Sequence, residues 1–142
     1  RVNHFLKVHS FAKIICENEN VDTDICHVVE VVALVHDIGI KISMQKYNSS
    51  AGKYQEIEGP PIAEKLLTDL GFDKKLIERV CFLIANHHSY NKIDGIDIQI
   101  LVEADFLVNI FEDEMSQENI LSIKEKYFKT QTGNNILEKL YL

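Results

Sequence analysis

The chain has little that would anchor it to a membrane, a sheet or a polyanion. Apolar runs such as Val31 to Val35 fall far short of the roughly 20 residues that span a bilayer. Alternation of apolar and polar residues is nowhere sustained, so no β-sheet is expected, and neither an internal repeat nor a low-complexity tract is visible. The three cysteines, Cys16, Cys26 and Cys81, are widely spaced with no CxxC pair. They read as reduced core residues of a cytoplasmic protein. Basic residues are in deficit, fifteen against twenty-two acidic ones for a net charge of -7, which argues against non-specific nucleic-acid binding, since that needs clustered Lys and Arg. Residue 1 is an arginine followed by a mixed helical pattern, not a charged n-region with an apolar run. A trimmed rather than targeted start is expected.

What is present is enough for one hydrophobic core. With 142 residues, 46% hydrophobic and 26% charged, the composition is that of an ordinary soluble domain. We expect one all-α domain over residues 1–142, a bundle of about six to seven helices with its core in residues 1–112 and a helical extension in 113–142. In the first helix, over residues 1 to 18, His4, Val8, Phe11 and Ile15 fall on one stripe. A second helix is expected from the Asp22-Thr23-Asp24 cluster to Gly39, with Ile25, Val28, Val32 and His36 on one face. Residues 40 to 55 lose periodicity and are expected to form a mobile loop. A third helix is expected to open at Gly59-Pro60-Pro61 and close at Gly71, and a fourth to run from Asp73 to Asn86-His87-His88. A polar connection over 89 to 96 leads to a fifth helix near 97 to 112, bearing Ile98, Leu101, Asp105 and Val108 on one stripe. Ser116 is placed to cap a sixth, and Gly133 to break the pattern before a short last one.

The polar outliers carry the chemistry. His4, His36 and Asp105 each interrupt an apolar helical face, and an unpaired buried aspartate costs several kcal/mol. A divalent metal would satisfy all three, because imidazole nitrogens and carboxylate oxygens suit first-row transition metals and magnesium. Neighbours in a regular helix point about 100° apart, so His36 and Asp37 face one ion only if the helix opens toward Gly39. An open coordination position there would lower the pKa of bound water. A bound metal also leaves small anionic substrates open despite the acidic chain.

These residues resemble the HD-domain superfamily of metal-dependent phosphohydrolases. Arg1-Val2-Asn3-His4 with Val8 is similar to the family's opening motif, Leu34-Val35-His36-Asp37-Ile38-Gly39 to its His-Asp doublet, and Glu103-Ala104-Asp105 to its closing motif. The likeness covers residues 1 to about 112. It implies an all-helical fold, His4, His36, Asp37 and Asp105 as ligands of a divalent ion (Mn, Fe, Co, Ni, Zn or Mg), and attack of metal-activated water on a phosphate ester, with Asp37 orienting that water. Members with two metals add histidines from the helices between. His87 and His88 match that pair, while Gln55 stands where another histidine commonly precedes a helix-opening glycine. One or two ions are therefore implied. The cyclic-dinucleotide phosphodiesterases of the superfamily carry a lysine directly after the doublet's glycine and a GYP signature; here Ile40 follows Gly39 and the signature is absent.

Plainer readings stand beside these. His87 and His88 end a helix, where the dipole alone favours imidazolium, or they contact a second metal or phosphate. His9 and His27 are expected at the surface or behind the ligands. Lys41, Lys46 and Lys53 flank the expected loop, either solvated or holding phosphate. Glu56 and Glu58 are either the charged first turn of a helix or proton-transfer groups, with Glu58 and Lys41 carried forward as catalytic candidates. The expected activity is phosphohydrolysis of a small phosphate ester, a nucleotide first among them. The alternatives are a metal-containing sensor without turnover and a purely structural bundle. Self-association stays open.

Overall fold

Helical periodicity is realised throughout: the computed structural model describes residues 1–142 and contains eight α-helices and no strand. They are α1 (Val2–Asn18), α2 (Thr23–Val35), α3 (Ile40–Tyr47), α4 (Gly52–Asp69), α5 (Lys74–Asn86), α6 (Ile96–Glu112), α7 (Gln117–Tyr127) and α8 (Gln131–Tyr141), with one 3-10 turn at Tyr90–Lys92. None is long and apolar enough to cross a membrane. The helices group into two compact units, residues 1–33 with 94–142, and residues 34–93.

In the first unit α6 is the central element, buried at every position from Asp97 to Val108. Helix α1 packs against it, burying His4, Val8, Ala12, Ile15 and Cys16, the i, i+4 stripe that the sequence pattern requires. The C-terminal helices are tied to α6 by Glu103, which is fully buried. Its carboxylate accepts hydrogen bonds from Gln99 Nε2 at 2.6 Å, Lys129 N at 2.9 Å, Thr130 N at 3.0 Å and Thr130 Oγ1 at 2.6 Å. Ser116 caps α7, as expected, through Asn119 N.

Gly133 does not break the chain. It sits in the first turn of α8, which Thr130 caps. A Cβ there would lie 1.9 Å from Glu103 Oε1, so the glycine makes room for the buried carboxylate.

In the second unit α4 packs on α5 and α3. Three expectations are corrected here. Residues 40 to 47 form α3 rather than a loop; of its eight residues only Ser43 is buried, so two turns with a serine facing inward leave no apolar period to read. The connection is residues 48–51 alone, entered through Asn48 in the left-handed conformation, φ 50°. Helix α4 begins at Gly52, and Pro60 and Pro61 lie inside it. An interior proline costs about 3 kcal/mol, but the residue before Pro60 is Gly59, which lacks the Cβ that would clash with the ring. The missing Cβ of Gly59 also makes room for Ile84 of α5, whose Cγ2 a Cβ there would meet at 2.7 Å, and that of Gly39 lets the start of α3 approach, since a Cβ on Gly39 would come within 2.8 Å of Gly59 N. Third, α2 ends at Val35, so His36 to Gly39 form a separate turn. Asp73 caps α5 through Lys75 N and Leu76 N, and that helix ends at Asn86, just short of the two histidines.

Candidate metal centre

The turn after α2 resolves how adjacent residues face one point. Ile38 N donates to Val35 O at 3.0 Å and Ile40 N to Asp37 O at 3.0 Å, bonds three residues apart that tighten the chain and leave regular helical geometry. His36 and Asp37 are both buried, at 0% and 4% exposure, with Nε2 of one 3.4 Å from Oδ2 of the other. The other carboxylate oxygen, Oδ1, lies 3.3 Å from His87 Nε2. The rings of His36 and His87 meet edge to face at 5.3 Å, and His88 lies against His87 at 3.8 Å. Asp37, His87 and His88 each offer one ligand atom, and these atoms lie within 4.8 Å of one another.

The donor chemistry fits a cation. His87 Nδ1 lies 2.8 Å from the carbonyl of Ile84, so that nitrogen carries the proton and donates. In a neutral ring the lone pair of Nε2 then points at an Asp37 oxygen, a repulsive meeting unless a proton or a metal ion stands between. Asp37 is poised to be an anion: burial works to raise its pKa, but when the facing nitrogens of His36 and His87 carry protons their hydrogen bonds outweigh it and hold the carboxyl well below the usual carboxylate range.

The first unit repeats this pattern. His4, 2% exposed, has Nδ1 at 2.6 Å from Glu112 Oε1 and Nε2 at 3.2 Å from Asp105 Oδ1. Both ring nitrogens thus face acceptors, which a neutral histidine cannot satisfy alone. The structure therefore brings His4 together with Asp105 in one unit, and His36, Asp37, His87 and His88 in the other. The sequence reading missed Glu112. Its signal was available: it lies seven residues after Asp105 on α6, two turns along one face.

The remaining candidates have structural occupations. Glu56 accepts from His88 N at 3.2 Å and from Ser89 Oγ at 3.0 Å, holding the end of α5 where the histidines lie. Glu58 accepts from Lys46 Nζ at 2.8 Å and Tyr47 Oη at 2.9 Å. The Lys46 ammonium first, then the Tyr47 hydroxyl, keep its pKa lowered. Lys41 is exposed on α3, and Lys53 lies over the Tyr54 ring at 4.9 Å. His9 pairs with Glu30 at 3.1 Å, and His27 is exposed. The cysteines are free thiols. Only Cys16 is fully buried, and burial, followed by Cys26 beside it, pushes that thiol up.

No curated protein matches the chain. A crystal structure of a predicted HD superfamily hydrolase from an uncultured Thermotogales bacterium is similar in fold, with a TM-score of 0.70, 24% sequence identity, and 99% of this chain and 73% of that chain covered. The family model described as HD domain matches residues 1–129, further than the expected limit near 112. The hydrogen bonds of Glu103 to Lys129 and Thr130 give that extension a physical basis. With the match spanning nearly its whole length, the chain belongs to the HD domain family, whose members are in general metal-dependent hydrolases.

Proposed function

We propose that this protein is a metal-dependent phosphohydrolase of small phosphate esters, with nucleotides the leading class. The observation that carries the reading is the buried Asp37 carboxylate with histidine nitrogens at 3.3 and 3.4 Å in a chain of the HD domain family. By that membership His36 and Asp37, and likewise His4 and Asp105, are proposed as ligands of divalent metal. A divalent ion held by these groups would polarise a phosphoryl oxygen and bring the pKa of water toward neutrality. The chain's own residues then have defined tasks. Asp37 accepts from that water and fixes its direction, while the Ile84 carbonyl and Glu112 hold the His87 and His4 rings in one orientation. Glu58, kept ionised by Lys46, suits an anchor of the α3–α4 connection better than a proton donor, and Lys41 is a candidate for contact with the substrate's phosphate.

Support for a nucleotide comes from the stacked rings of Tyr47 and Tyr54, 4.1 Å apart, with Tyr47 39% exposed and Lys53 alongside. A partly exposed aromatic pair flanked by an amine suits a base with its phosphate. A screen of the metal-loaded chain against nucleotides, sugar phosphates and phosphodiesters tests this; release of phosphate from sugar phosphates alone would overturn the nucleotide assignment. The second reading is a metal-containing sensor, favoured by Gln55 at a position where a histidine ligand is common. Stoichiometric metal without turnover on any phosphate ester would establish it.

A further inference from the structure

Gln55 stands out among the buried polar residues of the second unit. It is 6% exposed, and its amide nitrogen donates to Ser50 O at 2.5 Å. That bond fixes the orientation of the amide, because the reversed group would set its oxygen against a carbonyl. Its Oε1 is left buried and with no hydrogen-bond donor from the protein, a condition that costs about 1–3 kcal/mol for a neutral group.

The direction of Gln55 follows from its helix face. Gly52, Gln55 and Gly59 are spaced i, i+3, i+7 on α4 and so form one stripe. At one end, a Cβ on Gly52 would lie 2.8 Å from the ring of His88. At the other, Gly59 N is 2.8 Å from a Cβ built on Gly39, two residues past Asp37, and that Cβ would also be 3.1 Å from the Gln55 carbonyl oxygen. Gln55 lies between these ends on the same stripe, which meets His88 at one end and Gly39, two residues past Asp37, at the other; the ligand atoms of Asp37, His87 and His88 converge within 4.8 Å of one another.

We infer that Gln55 Oε1 is a ligand in this chain, completing a cation site with Asp37, His87 and His88. The inference rests on the metal-dependent reading above and deepens it, because it assigns a role to the residue that seemed to argue against a second ion. It also specifies the ion. Two imidazole nitrogens with a carboxylate and an amide oxygen are harder than a set with a third imidazole, and carbonyl oxygens suit manganese and magnesium better than zinc. This chain should therefore favour manganese over zinc at that site more than its Gln55→His variant does.

Calorimetric titration of the metal-stripped, folded chain with MnCl2 and with ZnCl2 tests the inference without recourse to activity. We expect Gln55→Leu to weaken manganese binding at one site by about 10–100-fold, the usual cost of disturbing a metal's surroundings, and Gln55→Glu to restore it. Gln55→His should move the zinc-to-manganese affinity ratio at least tenfold toward zinc. If Gln55→Leu does not fold, the comparison of the Glu and His variants decides the matter alone. Wild-type metal affinities and ratios in all folded variants would overturn the role of Gln55 and leave the metal-dependent reading standing. A wild-type chain that binds no divalent metal would overturn both.

Discussion

At the scale of single residues, the site depends on groups that orient imidazoles as much as on the imidazoles. Glu112 holds His4 through Nδ1 at 2.6 Å, which leaves Nε2 toward Asp105. Glu112→Gln should therefore weaken divalent-metal binding by about 10–100-fold with little change in melting temperature, as measured by calorimetry and circular dichroism. Unchanged affinity would make Glu112 a mere surface partner. Glu103 carries the opposite signature. Its four hydrogen bonds are structural, and Glu103→Ala leaves buried donors of Thr130 unpaired, at a cost of about 1–3 kcal/mol for each. Urea unfolding should show that loss, while the metal affinity of the remaining folded protein stays near wild type. His4, His36 and Asp105 were legible as candidates because each is a polar outlier on an apolar stripe, and Asp37 because it adjoins His36 ahead of Gly39. Glu112 was passed over, despite its spacing from Asp105, because a glutamate near a helix end is ordinary at an exposed surface, and the hydrogen bond of the Gln55 amide to Ser50 could not be read from sequence.

At the scale of elements, the legible helices were those with long apolar stripes, α1, α5 and α6, and the caps at Asp73 and Ser116. What was not legible is α3 and the first turns of α4, whose pattern is short and polar and whose position is set by backbone contact. Gly39 and Gly59 meet closely enough that a Cβ would be 2.8 Å from the opposing amide nitrogen. Gly39→Ala should thus destabilise by about 1–3 kcal/mol, as overpacking does, and displace Asp37 two residues away; denaturant melts and metal titration on the same variant check both effects. The same pair of helices is linked by Lys46 and Glu58. Glu58 has its pKa lowered, so its contribution is present above the unfolded carboxylate's pKa and is lost as pH falls through the lowered folded value. Lys46 has its pKa raised, so its contribution is full below its ordinary 10.5 and is lost as pH rises through the raised value. The difference in melting temperature between wild type and Glu58→Gln should accordingly be flat through neutral pH and vanish in acid. A difference that persists below the carboxylate range would contradict this.

At the scale of the whole molecule, an acidic chain with a net charge of -7 has six histidines, of which His4 lies at the buried carboxylate of Asp105 and His36, His87 and His88 lie around that of Asp37, while His9 and His27 lie nearer the surface. Ligand binding to the folded state alone stabilises by mass action, about 2.7 kcal/mol at a hundredfold excess over Kd, so divalent metal should raise the melting temperature of the chain and a chelator should lower it. The central claim is that Asp37 anchors an ion used in phosphoester hydrolysis. Its most direct test is phosphate release from a nucleotide panel by the manganese-reconstituted chain and its Asp37→Ala variant, with bound metal and helical content measured on the same samples. Release by the wild type that a chelator abolishes is expected, with neither release nor tightly held metal in a variant that is still helical. Equal release by Asp37→Ala, or none by a fully metal-loaded wild type, would contradict that claim.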